Sequence, residues 1–272
     1  MAEGDTILRA ARRIEAALEG GTVEVSTPNP RGRAARIERL DGHAFERAGT
    51  HGKHLLLHFG ELALHSHLGM SGSWHTYRRG EPWRKPVGAA WAVLSTDRAE
   101  AVQFGGPTLR LLRAESLRRD PVLARLGPDV LAPDFDAERI AQSLANVPDR
   151  SLGDALLDQH LVAGIGNIFK SEACFAAHLD PWQRVGDLPA EQLSHVAQAA
   201  HDLMLEAVED GRQDRAVYKR VGRPCPRCGT SIRSRGQGDA NRTTYWCPSC
   251  QVTAQAPSGL PPGYQRSVPE VE

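Results

Sequence analysis

Four of the five cysteines form the pattern Cys225-x2-Cys228-x18-Cys247-x2-Cys250. Two Cys-x2-Cys pairs, each on a tight turn, deliver four sulfurs to the corners of a tetrahedron, which is the geometry of structural zinc. Two disulfides would use the same four residues. The opening residues carry Glu3, Asp5, Arg9, Arg12 and Arg13 with no apolar block, so no secretory signal is read there. A reducing compartment then disfavours disulfides, and the spacing predicts one structural Zn2+. Four thiolates leave the metal no open position for a substrate. Its task is to hold a ribbon, Gly222 to Gln251, too small to bury a core of its own. Cys174 stands alone in a helical pattern and reads as a small core residue rather than a nucleophile.

The metal motif lies inside a charge anomaly. Lys+Arg and Asp+Glu both number 33, so the formal net charge is zero. Taken alone, that argues against nucleic-acid binding. Yet Arg212 to Arg242 holds nine basic residues against Asp214 and Asp239, and Val185 to Gly211 holds six acids and no Lys or Arg. A solvated face is the ordinary meaning of a charge run. Overlap with the ribbon, where Arg233, Arg235 and Arg242 lie between the cysteine pairs, makes phosphate contact the natural use. The acidic stretch is expected to face away from any phosphate backbone so held.

Periodicity divides the rest, and the expected class is α+β. Ile7, Ala10, Ala11, Ile14, Ala17 and Leu18 predict a first helix, closed by Gly20-Gly21. Short apolar runs follow: Lys53 to Phe59, a Gly60-Glu61 turn and Leu62 to Leu68 predict a hairpin. With Ala89 to Ser95 and Leu109 to Leu112 they suggest a β-sandwich behind a leading helix. The Gly/Pro-bearing stretch Leu126 to Asp134 reads as a linker, followed by helical patterns over Asp136–Asn146, Ser151–Gln159, Asn167–His178 and Pro189–Asp210. The expected units are residues 1–125, 126–215 and 216–251, with a disordered tail over 252–272. No apolar run reaches the ~20 residues of a membrane span, so no membrane partner is expected.

Within the helical part, Gly164 and Gly166 permit a tight turn immediately before Asn167. Free amides at such a helix start favour an anion, and an Asn amide adds a donor. The competing reading is that Asn167 caps its own helix. His65 and His67 alternate onto one strand face and read as packing or hydrogen-bonding residues rather than a metal pair. Trp74, Trp83 and Trp91 read as packing residues.

These pieces, in this order, resemble the formamidopyrimidine-DNA glycosylase / endonuclease VIII family of base-excision repair enzymes. The resemblance rests on Glu3-Gly4, Gly52-Lys53, His67-Leu-Gly-Met-Ser-Gly72, Leu156-Leu-Asp-Gln with Ala163-Gly-Ile-Gly-Asn-Ile168, and the four-cysteine ribbon with Arg242 and Cys250-Gln251. It runs to about Gln251, and the opening Glu-Gly-Asp-Thr is closer to the endonuclease VIII side. It implies a helix plus β-sandwich, a helix–two-turns–helix unit and a zinc ribbon, with damaged double-stranded DNA held between them by a single protein chain. It further implies that the N-terminal amine, here of Ala2 once Met1 is removed, attacks the anomeric carbon of an extruded nucleotide to form a Schiff base, with strand cleavage by elimination. Glu3 would handle protons, and Lys53 would contact phosphate and assist base loss. Asn167 and Arg242 would pin phosphates, and Met70 would fill the gap left by the flipped base. A cytoplasmic, nucleoid-associated location follows from the same resemblance.

Three positions depart from the family pattern. Proline is usual where Ala2 stands, Glu is frequent where Thr6 stands, and the Arg and Phe of a second wedge are not recognisable in Gln103 to Arg110. An α-amine with pKa ~7.8 is roughly a quarter to a third neutral at pH 7.4, against about 0.1% for an ordinary lysine. By that measure Ala2 remains the better nucleophile by a few hundredfold. Its imine, unlike proline's iminium, must be protonated before it can draw electrons. The leading expectation is an oxidised-base glycosylase with abasic-site lyase activity. The alternatives are a lesion- or abasic-site-binding protein weakened in turnover by Ala2, and a zinc-ribbon adaptor.

Overall fold

The computed structural model describes residues 2–252, so the expected tail over 252–272 lies, but for Val252, outside the described residues. Helix α1 (Gly4–Leu18) forms where the apolar spacing places it, burying Ile7, Ala11, Ile14 and Leu18 on one stripe. Two four-stranded antiparallel sheets follow. One has the order β1 (Glu24–Ser26), β6 (Ala90–Ser95), β7 (Ala99–Phe104), β5 (Ser73–Arg78). The other runs β2 (Arg47–His51), β3 (His54–Phe59), β4 (Leu62–His67), β8 (Thr108–Arg113). The β3–β4 hairpin has the expected register, Phe59 facing Leu62 and His54 facing His67, with Gly60 at φ +61° in its turn. Alternation sends Leu55, Leu57, Phe59 and Leu64 into the core shared with Ile7, Ile14, Leu18 and Leu94. His54, His65 and His67 therefore project from the other face. Trp74 is buried with Nε1 donating to Ser66 Oγ (3.1 Å), and Trp83 stacks on Tyr77, as packing residues should.

The Gly/Pro stretch after β8 is not a free spacer. Asp129 bridges to Ala163, Gly127 N–H donates to the Gln159 carbonyl, and Val130 is fully buried. Helices α2 (Ala137–Ala145), α3 (Leu152–Ala155), α4 (Asn167–Ala176) and α5 (Ala190–Asp210) then enclose a second core of Ile140, Leu144, Leu152, Ile165, Phe169, Val196 and Met204. Helix α3 is much shorter than the expected Ser151–Gln159. Asp158 Oδ1 accepts the His160 N–H (2.9 Å), an Asx turn that ends the helical run. Its other oxygen takes the Arg150 guanidinium (2.6 Å), which anchors the turn.

Helix α4 is the hub, buried along its whole length from Asn167 to Phe175. Strands β9 (Arg233–Gln237) and β10 (Arg242–Trp246) form the ribbon hairpin, which docks on α4 over a small core of Phe175, Val217, Cys225, Ile232 and Cys247. Part of the basic block is spent on this docking. Arg227 donates to the carbonyls of Phe175 and Ala176 at the end of α4 (2.6 and 3.3 Å) and lies over the Phe175 ring, and Arg235 lies over Trp182. Cys174 is fully buried, and burial pushes its thiol up to about 12, which fits a core residue. Among the described residues no helix is long and apolar enough to cross a membrane.

Candidate active site

The glycine turn before α4 is held from both sides by residues far away in sequence. Its amides point to Glu3: the carboxylate accepts N–H groups of Gly166 (3.1 Å), Ile168 (2.9 Å) and Phe169 (3.3 Å). Its Ile165 carbonyl points the other way and accepts from Lys53 Nζ (2.6 Å) and Gln159 Nε2 (2.9 Å). Gln159 Oε1 also accepts the Gly164 N–H (3.1 Å). Gly164 sits at φ +103°, a conformation that side chains disfavour, and its carbonyl accepts the Gly4 N–H (3.0 Å), locking α1 to α4. A Cβ on Gly166 would stand 2.3 Å from the Glu3 carboxyl carbon, so only glycine leaves room for that side chain.

This arrangement corrects the sequence reading of the turn. The anion at the start of α4 is the protein's own Glu3 carboxylate, so those amides are already used. Asn167 does not cap the helix either; the cap position is Gly166, without a side-chain bond. Instead Asn167 Nδ2 donates to the Thr243 carbonyl (2.7 Å) and ties α4 to β10 one residue from Arg242.

Glu3 is 0% exposed, and burial pushes its carboxyl above the ordinary range. The Ile168 and Phe169 amides and the Lys53 charge pull it back. Burial draws the Lys53 ammonium down to about 8, with Glu3 opposing and Arg242 adding to the fall. A proton can therefore be held or released at Lys53 near neutral pH.

Ala2, Lys53, Met70, Asn167 and Arg242 all line one pocket, together with His67. Glu3 does not line it but holds Gly166, which does. Met70, on the loop between β4 and β5, is 68% exposed, a large apolar side chain held out at the pocket rim. The residues come from the N-terminus, the first hairpin, the glycine turn and the ribbon. Several supporting side chains were not singled out from sequence. Arg150 bridges Asp154 and Asp158 at the pocket edge. Lys170, fully buried, donates to Thr244 Oγ1 (2.5 Å) behind Arg242. A lone lysine in a helical run carries no signal of that kind. For Gln159, its place in the Leu-Leu-Asp-Gln run was a usable clue.

The four ribbon cysteines bring their sulfurs within 4.8 Å of one another, with Cys225–Cys250 at 3.8 Å and Cys228–Cys247 at 3.5 Å. Sulfurs about 2.3 Å from a tetrahedral zinc are separated by about 3.8 Å, so the set fits one structural Zn2+. None of the five cysteines is in a disulfide. Gln251 supports the site: its Oε1 accepts the Cys247 N–H (2.8 Å), and its Nε2 donates to the Leu179 carbonyl (2.9 Å).

Comparison with known proteins agrees with this anatomy. Residues 1–108 match the formamidopyrimidine-DNA glycosylase N-terminal domain, residues 126–217 its H2TH domain, and residues 222–252 the zinc finger found in FPG and IleRS. A probable endonuclease 8 2 of Streptomyces coelicolor is 42% identical over 95% of this chain and 97% of its own. The DNA-(apurinic or apyrimidinic site) lyase Nei2 of Mycolicibacterium smegmatis is 36% identical over 93% and 100%. The Lactococcus lactis formamidopyrimidine-DNA glycosylase, solved non-covalently bound to DNA containing an AP site, superposes with a TM-score of 0.80 at 22% identity, covering 93% of this chain and 100% of its own. With its three regions matched in order and such relatives along nearly its full length, the chain belongs to the formamidopyrimidine-DNA glycosylase / endonuclease VIII family.

Proposed function

We propose that this protein is a bifunctional base-excision repair enzyme, an oxidised-base glycosylase and abasic-site lyase, acting on damaged double-stranded DNA as a single chain. The convergence of Ala2, Lys53, Met70, Asn167 and Arg242 on one pocket, with Glu3 bound to its Gly166, carries the reading. With Met1 removed, the Ala2 amine attacks C1′ of the extruded nucleotide, and the base departs with the electrons of its glycosidic bond and takes up a proton. The attached nitrogen gives up one proton, and its lone pair then opens the sugar ring, the ring oxygen taking up a proton, to leave an imine that must stay protonated to act as an electron sink. Loss of the C2′ proton then expels the 3′ phosphate and cleaves the strand. Glu3 is suited to hold the protons moved in these steps, because burial keeps its carboxyl readier to bind a proton than an ordinary one. Arg242 and Lys53 attract the phosphates flanking the lesion, Asn167 holds the ribbon edge against them, and Met70 fills the gap in the stack. The zinc holds the ribbon that carries Arg242. The working units are 1–125, 126–215 and 216–251, with the reaction at their junction, in the cytoplasm with the nucleoid.

Protonation alone no longer separates the two amines. At about 8, Lys53 is roughly a fifth neutral at pH 7.4, close to an ordinary α-amine. Placement separates them. Lys53 Nζ is bound to the Ile165 carbonyl, whereas Ala2 lines the pocket half-buried. Borohydride trapping on an abasic duplex, with mass spectrometry of the intact protein and of the trapped peptide, tests this. The expected results are a protein lacking Met1 and an adduct on Ala2. An adduct only after Ala2→Pro would show that the natural chain grips DNA without turnover, and an adduct on Lys53 would reassign the nucleophile.

A further inference from the structure

His54, His65 and His67 meet on the face of the second sheet that points away from the sandwich core, with His54 and His67 in register. Their hydrogen bonds have a direction. Arg110 on β8, the register partner of His65, donates from Nη2 to His65 Nδ1 (2.9 Å), and the same nitrogen donates to Asp120 Oδ2 (2.9 Å). A guanidinium can only donate, so His65 Nδ1 is a bare acceptor and the ring proton sits on Nε2. That Nε2–H meets His54 Nδ1 at 2.8 Å, so His54 Nδ1 is also bare and its proton sits on Nε2. One arginine, held by one aspartate, thus sets the tautomer of two rings.

A second proton on either ring would oppose donor to donor and break the series. Every group facing the pair works the same way, Asp120 excepted. Burial, then His67, His65, His51 and Arg110, draw His54 down to about 3, and burial, then Arg110, draw His65 to about 4 against Asp120. The His54 ring in turn lies against His67, centroids 4.7 Å apart, and His67 lines the pocket next to Lys53.

We propose that His65 and His54 are positioning residues: with Arg110 and Asp120 they form a one-way hydrogen-bond series that fixes the His67 ring beside Lys53 and keeps imidazolium charge from forming behind the pocket. Its consequence for turnover rests on the lyase reading above, but the tautomers do not. An imidazolium there would repel the Lys53 ammonium, and a free His54 would let the pocket wall shift, which is costly where reacting atoms must stay aligned.

The test has two arms. Nitrogen-15 NMR of the DNA-free protein should show His54 and His65 neutral and protonated on Nε2 from pH 8 down to about 5. On an abasic duplex, His65→Leu should lower the single-turnover cleavage rate roughly tenfold at saturating protein, with DNA affinity within about twofold of the natural chain. His65→Gln, which offers one acceptor to Arg110 and one donor to His54, should restore the rate. A ring protonated on Nδ1, an imidazolium within that pH range, a fully active His65→Leu, or a His65→Gln as impaired as His65→Leu would each overturn the proposal. If the natural chain cleaves no abasic duplex, the lyase reading fails, and the NMR spectrum alone decides the hydrogen-bond series.

Discussion

Helix α4 meets two buried glutamates, and they use the same hydrogen-bond chemistry for different ends. Glu3 accepts the amides of Gly166, Ile168 and Phe169 at the helix start. Glu172, within the helix, accepts the amides of Ala216, Val217 and Tyr218 at 2.8, 3.1 and 2.7 Å, tying down the segment that leads into the ribbon. Burial raises both carboxyls above their ordinary range, and the amides pull both back. The difference lies in the neighbours. Glu3 has Lys53 beside it and holds Gly166, which lines the pocket with Ala2. Glu172 instead has the permanently charged Arg215 as its charged neighbour and holds Val217 of the small ribbon core. Being buried and wrapped in amides does not mark a carboxylate as catalytic. The role proposed for Glu3 rests instead on its proximity to Lys53, a group that can exchange a proton near neutral pH.

The same substitution at both positions should separate the two glutamates. Glu3→Gln should lower cleavage of an abasic duplex by about 10²–10⁴-fold, the usual worth of a positioned proton carrier. Single-turnover kinetics with circular dichroism to confirm folding would measure it. Glu172→Gln should leave turnover of the folded protein nearly intact and appear in stability. A Gln amide cannot accept at its nitrogen, so at least one buried N–H loses its partner, costing about 1–3 kcal/mol in urea unfolding. Glu3→Gln should lose a similar amount of stability. Equal losses of activity from the two variants would show that Glu3 is only a second clamp.

The two clamps were unequally legible in the sequence. Glu3 could be found because it belongs to a resemblance, and the zinc ligands because Cys-x2-Cys spacing has few other meanings. Strands β3 and β4 followed from alternation and a Gly60-Glu61 turn. Glu172 carried no such mark, since its partners are backbone amides of a segment 44 or more positions away. The anion site at the glycine turn was located correctly but its occupant was not, because no local pattern shows that Glu3 folds back across more than 160 residues to fill it. Helix α3 was overextended because apolar spacing continues past Ala155, whereas the Asx turn at Asp158 depends on its own side chain and on Arg150. Phosphate contact suits only part of the basic block, because Arg227 donates to the carbonyls that end α4. Local patterns find elements; what fills the space between elements is set by tertiary contacts.

The smallest effect separates two lysines that flank the same helix start. Lys53 and Lys170 are both drawn down to about 8, chiefly by burial. In an unfolded chain a lysine releases its proton near ~10.4, so between about pH 8 and 10.4 the unfolded state binds more protons. Folding stability contributed by either group should therefore rise with pH across that window, whichever lysine is considered. DNA affinity should distinguish them. Lys53 lines the pocket, so affinity for an abasic duplex at constant salt should fall about threefold to tenfold as pH rises through about 8 and one phosphate contact loses its charge. Lys53→Arg should flatten that fall, because a guanidinium keeps its proton. Lys170 is fully buried against Thr244, out of reach of a phosphate, so Lys170→Met should leave the same limb in place even where it weakens the ribbon's hold. Fluorescence anisotropy titrations of the three proteins from pH 7 to about 9 would measure the limb, and a limb that disappears with Lys170→Met and persists in Lys53→Arg would assign the charge that attracts DNA to the wrong side of α4.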